Sequence, residues 1–334
     1  MERLQRTEFI TRRSLKYTYY VSTSGRSTEQ CPTLLFLHGF PDSARLWKDV
    51  ISNLSDLPNK IIIPDCLGYA GTDKPADTTL YAYQGQADDL AEILDNEDAT
   101  GTIVIGHDWG SALAQRLYLH QRDRINGVVL LNVAYLVPSS EPFNLAHAND
   151  ITERMTGRPR LAYWELFTAS DGAEVIDRNL DRMWQALHGD VEDWMKKLFC
   201  TRGALRDFLL GSEEVPLKAY AKQPERKEAF LQQFARDGFA PALRMYKATA
   251  LNVQTSSDSH IPRDKLTIGV PMLYLICTQD AVCTPETMIP AKKQGLVPDL
   301  KEVVIESAHW SPMEKPKEVA AHIRDFLTER FPPK

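Results

Sequence analysis

The chain has 334 residues, of which 43% are hydrophobic and 25% are charged, and its formal net charge is −6 at pH 7. This length exceeds one average domain but fits a single core that carries an inserted subdomain. The charge balance gives no electrostatic case for nucleic acid or an anionic membrane as a partner. No apolar run approaches the roughly 20 residues of a membrane span, so we expect none.

The cysteines and the N-terminal residues bear on the cellular compartment. The five cysteines are odd in number and lack the spacing of metal ligands, which favours reduced thiols. Residues 1–6 lack the apolar region of a signal peptide. Both observations predict a cytoplasmic protein.

The hydrophobic pattern predicts alternating strands and helices. Residues 8–22 alternate as in an edge hairpin, and residues 44–54 have apolar residues at helical spacing. Continuous apolar runs of the buried-strand type occupy residues 33–37, 60–63, 103–105, 128–131, 272–276 and 303–305. This succession indicates an α/β protein with a mostly parallel central sheet flanked by helices.

Between residues 137 and 262 the pattern changes. No run there is typical of a strand, and helical stretches rich in Trp, Tyr, Phe and Arg follow one another. We therefore predict an all-helical lid domain at 138–261, inserted between a first core segment at 1–137 and a second at 262–334.

The strongest local motif is the sharp turn after the strand at 103–105. Gly106 and Gly110 flank Asp108 at the spacing of a nucleophile elbow, in which only small residues fit around one exposed side chain. An aspartate is ionised at neutral pH and attacks sp3 carbons that bear a leaving group, leaving an ester on the protein. A tight turn with a capping aspartate is the alternative interpretation of these residues.

Hydrolysis of such an ester needs a base and an acid that follow later strands. Asp280 lies just past the strand at 272–276, and His309 just past the strand at 303–305. Both follow carboxyl ends of strands, where open parallel sheets bind ligands. The position after the preceding strand, at 128–131, could also supply the acid, but it holds Asn132, which carries no charge. His107 beside the nucleophile is expected to pack, and the remaining histidines lie in helical patterns or in the lid or its edge: His120, His147, His188, His260 and His322.

The tetrapeptide of residues 38–41 directly follows the first buried strand. At this place a backbone N–H joins the one after the nucleophile in an oxyanion hole, so we assign the donors to Phe40 and Trp109. A simple turn built on glycine and proline is the alternative. We expect His38 to make a structural hydrogen bond at the substrate pocket, next to Pro41, whose preceding peptide bond the sequence leaves undetermined.

Together these motifs, with the segment Ala308-His309-Trp310 and the glycine-containing loop at 68–75, resemble the α/β-hydrolase-fold epoxide hydrolases of the soluble type over nearly the whole chain. The resemblance implies two lid tyrosines that donate hydrogen bonds to the epoxide oxygen, and the matching positions are Tyr163 and Tyr246. Trp164 in the lid indicates an aromatic substrate pocket, and Trp310 is expected to pack near the base.

The resemblance implies conversion of a small epoxide, apolar or aromatic, into a vicinal diol without a metal or organic cofactor, by a monomer or homodimer. A dehalogenase shares the nucleophile, but haloalkane dehalogenases commonly carry an asparagine where this chain has Phe40. Fluoroacetate dehalogenases carry an arginine where it has Trp109. A non-catalytic ligand receptor on the same fold is the third alternative.

Overall fold

The computed structural model describes residues 4–28 and 31–332, so residues 1–3 of the N-terminal segment considered above lie outside it. The described chain contains eight strands in one sheet. They are β1 (Leu4–Ile10), β2 (Lys16–Ser22), β3 (Thr33–Leu37), β4 (Ile61–Pro64), β5 (Thr102–His107), β6 (Ile125–Leu131), β7 (Met272–Cys277) and β8 (Leu300–Ile305).

The strand order across the sheet is β1-β2-β4-β3-β5-β6-β7-β8. The hairpin β1–β2 and the pair β2–β4 are antiparallel, whereas all pairs from β4 to β8 are parallel. The prediction of a mostly parallel sheet with an edge hairpin is thus confirmed. Since the chain passes from β3 to β4 on one side and then to β5 on the other, the strand order reverses between β3 and β5. This is the switch point where such sheets bind ligands.

Helices cover the sheet and fill the long segment between β6 and β7. The helices before β6 are α1 (Lys48–Ser52), α2 (Tyr83–Asn96) and α3 (Trp109–His120). The helices after β7 are α13 (Ile289–Lys293), α14 (Ser311–Glu314) and α15 (Pro316–Arg330). None of the described helices is long and apolar enough to cross a membrane.

Residues 132–271, all described by the structure, contribute no strand to the sheet. We call the helices of this segment the helical insert: α4 (Leu145–Thr156), α5 (Trp164–Thr168), α6 (Gly172–Asp177), α7 (Leu180–His188), α8 (Trp194–Phe199), α9 (Ala204–Leu210), α10 (Pro224–Asp237), α11 (Arg244–Ala250) and α12 (Val253–Asp258). The expectation of a helical interruption is met. The domain boundaries at 138 and 261 stay predictions.

A buried ion pair joins the end of the insert to the core. The guanidinium of Arg116 on α3 forms a fork with both carboxylate oxygens of Asp258 at the end of α12, and the Nε–Oδ1 distance is 2.9 Å. The same guanidinium lies 5.1 Å from the ring centre of Tyr83. Because both charges are buried and paired, this contact fixes α12 against α2 and α3.

Candidate active site

The turn between β5 and α3 presents Asp108 above the sheet. Its backbone has φ 54° and ψ −125°, a strained conformation for a residue with a side chain. A Cβ atom on Gly106 would lie 2.3 Å from the carbonyl oxygen of Gly110, and one on Gly110 would lie 2.1 Å from that of Leu37. Both glycines are therefore required by close backbone approach, as the elbow motif predicts.

The loop after β3 holds one oxygen of the Asp108 carboxylate. The Phe40 N–H donates to Oδ1 at 2.7 Å, and the Phe40–Pro41 peptide bond is cis. A Cβ atom on Gly39 would lie 2.3 Å from the same Oδ1, so the loop needs glycine there. Burial raises the pKa of the Asp108 carboxyl, while His309 and the backbone N–H groups of Trp109 and Phe40 oppose this. Both predicted oxyanion donors thus face this carboxylate.

His309 and Asp280 form a short hydrogen bond beside Asp108. His309 Nδ1 lies 2.6 Å from Asp280 Oδ2, and its Nε2 lies 3.6 Å from Asp108 Oδ2. Burial alone lowers the pKa of His309, but the carboxylates of Asp280 and Asp108 outweigh it and raise that pKa to about 9. The imidazole is therefore a cation between two anions near neutral pH.

The Asp280 carboxylate is fully hydrogen-bonded. Its Oδ2 also accepts from Asn132 Nδ2 at 2.8 Å, and its Oδ1 accepts from the backbone N–H groups of Val282 and Cys283, both at 2.9 Å. Although burial raises its pKa, the contact with His309 and these donors lower it below the ordinary value. Asp280 thus stays ionised and holds the imidazole in one orientation.

The two predicted lid tyrosines come from separate helical segments and meet at the cavity that Asp108 lines. Tyr163, just before α5, and Tyr246 on α11 have ring centres 6.0 Å apart at an interplanar angle of 80°. Burial raises the pKa of both phenols well above 10, which keeps them protonated. Both line a cavity of about 30 Å³ with Asp108 and His309, room for about two water molecules.

The remaining predicted pocket residues do not all reach this cavity. Trp310 and Phe40 line it. Pro41 instead borders a neighbouring cavity of about 480 Å³. His38 lies beneath the loop, where its ring nitrogens contact the Gly39 carbonyl and the Cys66 N–H, both at 2.9 Å. Trp164 packs behind Tyr246, with ring centres 5.0 Å apart. Pro41 and Trp164 therefore do not line this cavity as expected, whereas His38 makes the expected structural hydrogen bonds but away from the cavity.

Asp42 at the site is not predicted from the sequence, whereas His107, which is expected to pack, is fully buried. The indole N–H of Trp310 donates to Asp42 Oδ2 at 3.1 Å, and burial raises the pKa of that carboxyl to about 7. Asp42 directly follows the predicted oxyanion loop at residues 38–41, and this position in the sequence indicates that it lies near the site. His107 Nε2 lies 2.8 Å from the His309 carbonyl oxygen. Burial lowers its pKa to about 3, so it serves as a neutral support of the His309 segment.

Comparison with known proteins identifies the family to which this fold belongs. A family model described as the alpha/beta hydrolase fold matches residues 32–316. The chain belongs to the α/β hydrolase family. In this α/β hydrolase, the elbow with Asp108 and the pair formed by Asp280 and His309 lie at the carboxyl edge of the sheet.

Curated relatives of this α/β hydrolase include proteins that are named epoxide hydrolases. Epoxide hydrolase A of Mycobacterium tuberculosis is 29% identical over 306 residues, which cover 89% of this chain and 90% of that protein. Epoxide hydrolase 3 of Siraitia grosvenorii is 27% identical, with 89% of this chain and 92% of that protein covered. An epoxide hydrolase structure from an endophytic Streptomyces superposes with a TM-score of 0.79 at 23% identity, covering 98% of this chain and 96% of that one, and supports the fold.

Proposed function

We propose that the protein is an epoxide hydrolase, which adds water to an epoxide and releases a vicinal diol through a covalent ester on Asp108. The observation that carries the proposal is a carboxylate nucleophile that faces two protonated phenols, those of Tyr163 and Tyr246, across one small cavity. The names of the curated relatives support the same reaction class.

In the first half-reaction, Asp108 Oδ2 attacks an epoxide carbon. The Phe40 N–H binds Oδ1 at 2.7 Å, which leaves Oδ2 as the oxygen free to react. The new ester C–O bond forms as the ring C–O bond breaks. One of the two phenols, Tyr163 or Tyr246, gives its proton to the departing oxygen while the other donates a hydrogen bond. Without this proton the alkoxide is a very poor leaving group.

In the second half-reaction, His309 becomes the base. Ester formation removes the negative charge of Asp108, which lies 3.6 Å from His309 Nε2 and helps to hold the histidine pKa at about 9. The pKa of His309 therefore falls, its proton passes to the phenolate, and the neutral imidazole activates water. Water attacks the ester carbonyl as His309 takes one of its protons, and the oxyanion is stabilised by the Phe40 and Trp109 N–H groups. The acyl C–O bond then breaks, His309 passes the proton to the departing diol oxygen, and the regenerated Asp108 carboxyl returns a proton to His309.

The walls of the cavity support an apolar or aromatic epoxide as substrate. Phe40, Phe167, Phe199 and Tyr246 surround the nucleophile with ring faces and edges. The cavity of about 30 Å³ is too small for an aromatic epoxide, so the helical insert would act as a lid that opens to admit the substrate. Five free thiols support a reducing, cytoplasmic compartment, and we retain a monomer or homodimer as the assembly.

The test is turnover of an aromatic epoxide in heavy-oxygen water, followed by mass analysis of the peptide that contains Asp108. Attack of water on the ester carbonyl leaves one heavy oxygen in the aspartate after repeated turnovers. The variant His309→Gln is the matched control, in which the ester accumulates as a mass increase equal to one epoxide. Diol formation without label in this peptide would refute the covalent step.

Two further outcomes separate the alternatives. An alcohol from a haloalkane, with no diol from epoxides, would identify a dehalogenase. Tight epoxide or diol binding without turnover would identify a receptor.

A further inference from the structure

A thiol that the proposed reaction does not use lies against the catalytic pair. The side chain of Cys283 offers a sulfur atom that, with a carboxylate oxygen of Asp280 and a ring nitrogen of His309, forms a group of atoms all within 4.8 Å of one another. Cys283 is partly exposed as a residue, and its backbone neighbour Val282 lines the cavity that contains Asp108 and His309.

These three atom types are the donors that a zinc ion prefers. Zinc binds thiolate sulfur at about 2.3 Å, imidazole nitrogen at about 2.0–2.1 Å and carboxylate oxygen at about 2.0–2.2 Å, in tetrahedral geometry. Those bond lengths place neighbouring ligand atoms about 3.3–3.8 Å apart. The observed spread of up to 4.8 Å is therefore about 1 Å too wide, which rotation of the Cys283 side chain would close.

The surrounding charge also favours a divalent cation. Burial, then Asp280 and Asp108, raise the pKa of the Cys283 thiol, and the two carboxylates leave a net negative charge at the site even with the imidazolium of His309 between them. The same negative charge attracts a dication, and the charge of the dication stabilises the thiolate that the two carboxylates disfavour. A soft thiolate selects zinc-class ions over Mg²⁺, which prefers oxygen ligands.

We propose that Asp280, Cys283 and His309 form an inhibitory binding site for a zinc-class divalent cation. Binding releases the Cys283 thiol proton and the proton on the His309 ring nitrogen that the ion occupies, and it engages an oxygen of Asp280. The base then has no lone pair for water, and its orienting carboxylate is engaged elsewhere. The proposed site is formed by three residues of this chain, so metal binding there does not depend on which substrate is turned over.

The binding test uses Cd²⁺ and Zn²⁺ on the full-length protein. Cd²⁺ gives an ultraviolet charge-transfer band with a thiolate, and calorimetry measures Zn²⁺ affinity. The variant Cys283→Ser keeps the backbone amide, with Cys283→Ala as a second form, and Cys31→Ser is the matched control at another partly exposed thiol. We expect one tight equivalent, weakened at least about tenfold in both Cys283 variants, since even hydrogen-bond partners of metal ligands are worth about 10–100-fold in affinity.

The activity test measures Zn²⁺ inhibition of each variant relative to its own metal-free rate, with Mg²⁺ as the hard-ion control. Inhibition by Zn²⁺ in the wild type and in Cys31→Ser, but tenfold weaker in Cys283→Ser, supports the site. Equal Zn²⁺ affinity in wild type and both Cys283 variants, or a Cd²⁺ band lost in Cys31→Ser, would overturn it. An intact Cd²⁺ band in a protein that hydrolyses no epoxide would refute the proposed function alone.

Discussion

The partly buried carboxyl of Asp42 makes stability depend on pH in a direction opposite to that of most aspartates. Burial raises its pKa from 3.8 to about 7, partly offset by the hydrogen bond from Trp310. Between these pH values the unfolded chain has lost the proton that the folded chain keeps. The folded state therefore binds more protons, and the free energy of unfolding falls as pH rises.

The size of this effect follows from the two pKa values. A tenfold difference in proton affinity is worth about 1.4 kcal/mol, so the rise to about 7 corresponds to a penalty of about 4 kcal/mol at most. The variant Asp42→Asn has the same shape, can still accept from Trp310 and does not titrate. We expect its stability relative to wild type to increase by up to about 4 kcal/mol between about pH 4 and about pH 7.

Urea unfolding of both proteins over this pH range measures the difference directly, and equal m-values would show that the unfolded states are comparable. Asp56→Asn is the control, because Arg324 lowers the pKa of this exposed carboxyl. Any stability lost in that variant is fully present above the pKa of the unfolded state and disappears as pH falls through the lower pKa of the folded state. A stability difference for Asp42→Asn that does not change with pH would refute the reasoning.

Three further substitutions test the elbow, the insert and the catalytic pair. Gly110→Ala should lower the free energy of unfolding in urea by about 2–3 kcal/mol, because the new Cβ would lie 2.1 Å from the Leu37 carbonyl oxygen. This loss outweighs the advantage of about 1 kcal/mol that alanine has over glycine in a helix, and a gain in stability would contradict it. Arg116→Ala leaves Asp258 buried without its cation and should cost about 3–5 kcal/mol, whereas removing both charges should cost less; equal losses would argue against the ion pair. Asp280→Asn should slow ester hydrolysis by about 10⁴-fold in rapid-quench assays, and adding Asn132→Asp should restore part of the rate because the two side chains are 2.8 Å apart; no accumulated ester would count against the role of Asp280.

The parts of the site that the sequence predicts are those set by local geometry. The elbow is one strand, two glycines and one helix start, all within twelve residues, so the position of Asp108 follows from spacing. Asp280 and His309 follow from a general rule, since residues after parallel strands meet at one edge of the sheet. For Tyr163 and Tyr246 the helical pattern alone favours a core position, and only the resemblance singled them out.

The parts that could not be predicted depend on long-range contacts and side-chain direction. Asp42 and Trp310 are 268 positions apart, and Asn132 and Asp280 are 148 apart, so no local pattern pairs them. His38 was placed in the correct loop, but its ring turns under the loop toward Cys66, and spacing carries no information on that rotation. Cys283 lacks metal-ligand spacing in the sequence, because its partners come from two different strand ends.

The position of the helical insert within the sheet order also has a consequence for synthesis. Strands β1 to β6 pair among themselves, but β6 receives its outer neighbour β7 only after the 140 residues between Leu131 and Met272 have been made. At about 5–20 residues per second, the apolar β6 edge stays unpaired on the ribosome for roughly 7–28 s. Throughout that interval Asp108 is present without Asp280 or His309, so a nascent chain that has already formed its elbow lacks the pair that the proposed mechanism uses to hydrolyse the ester.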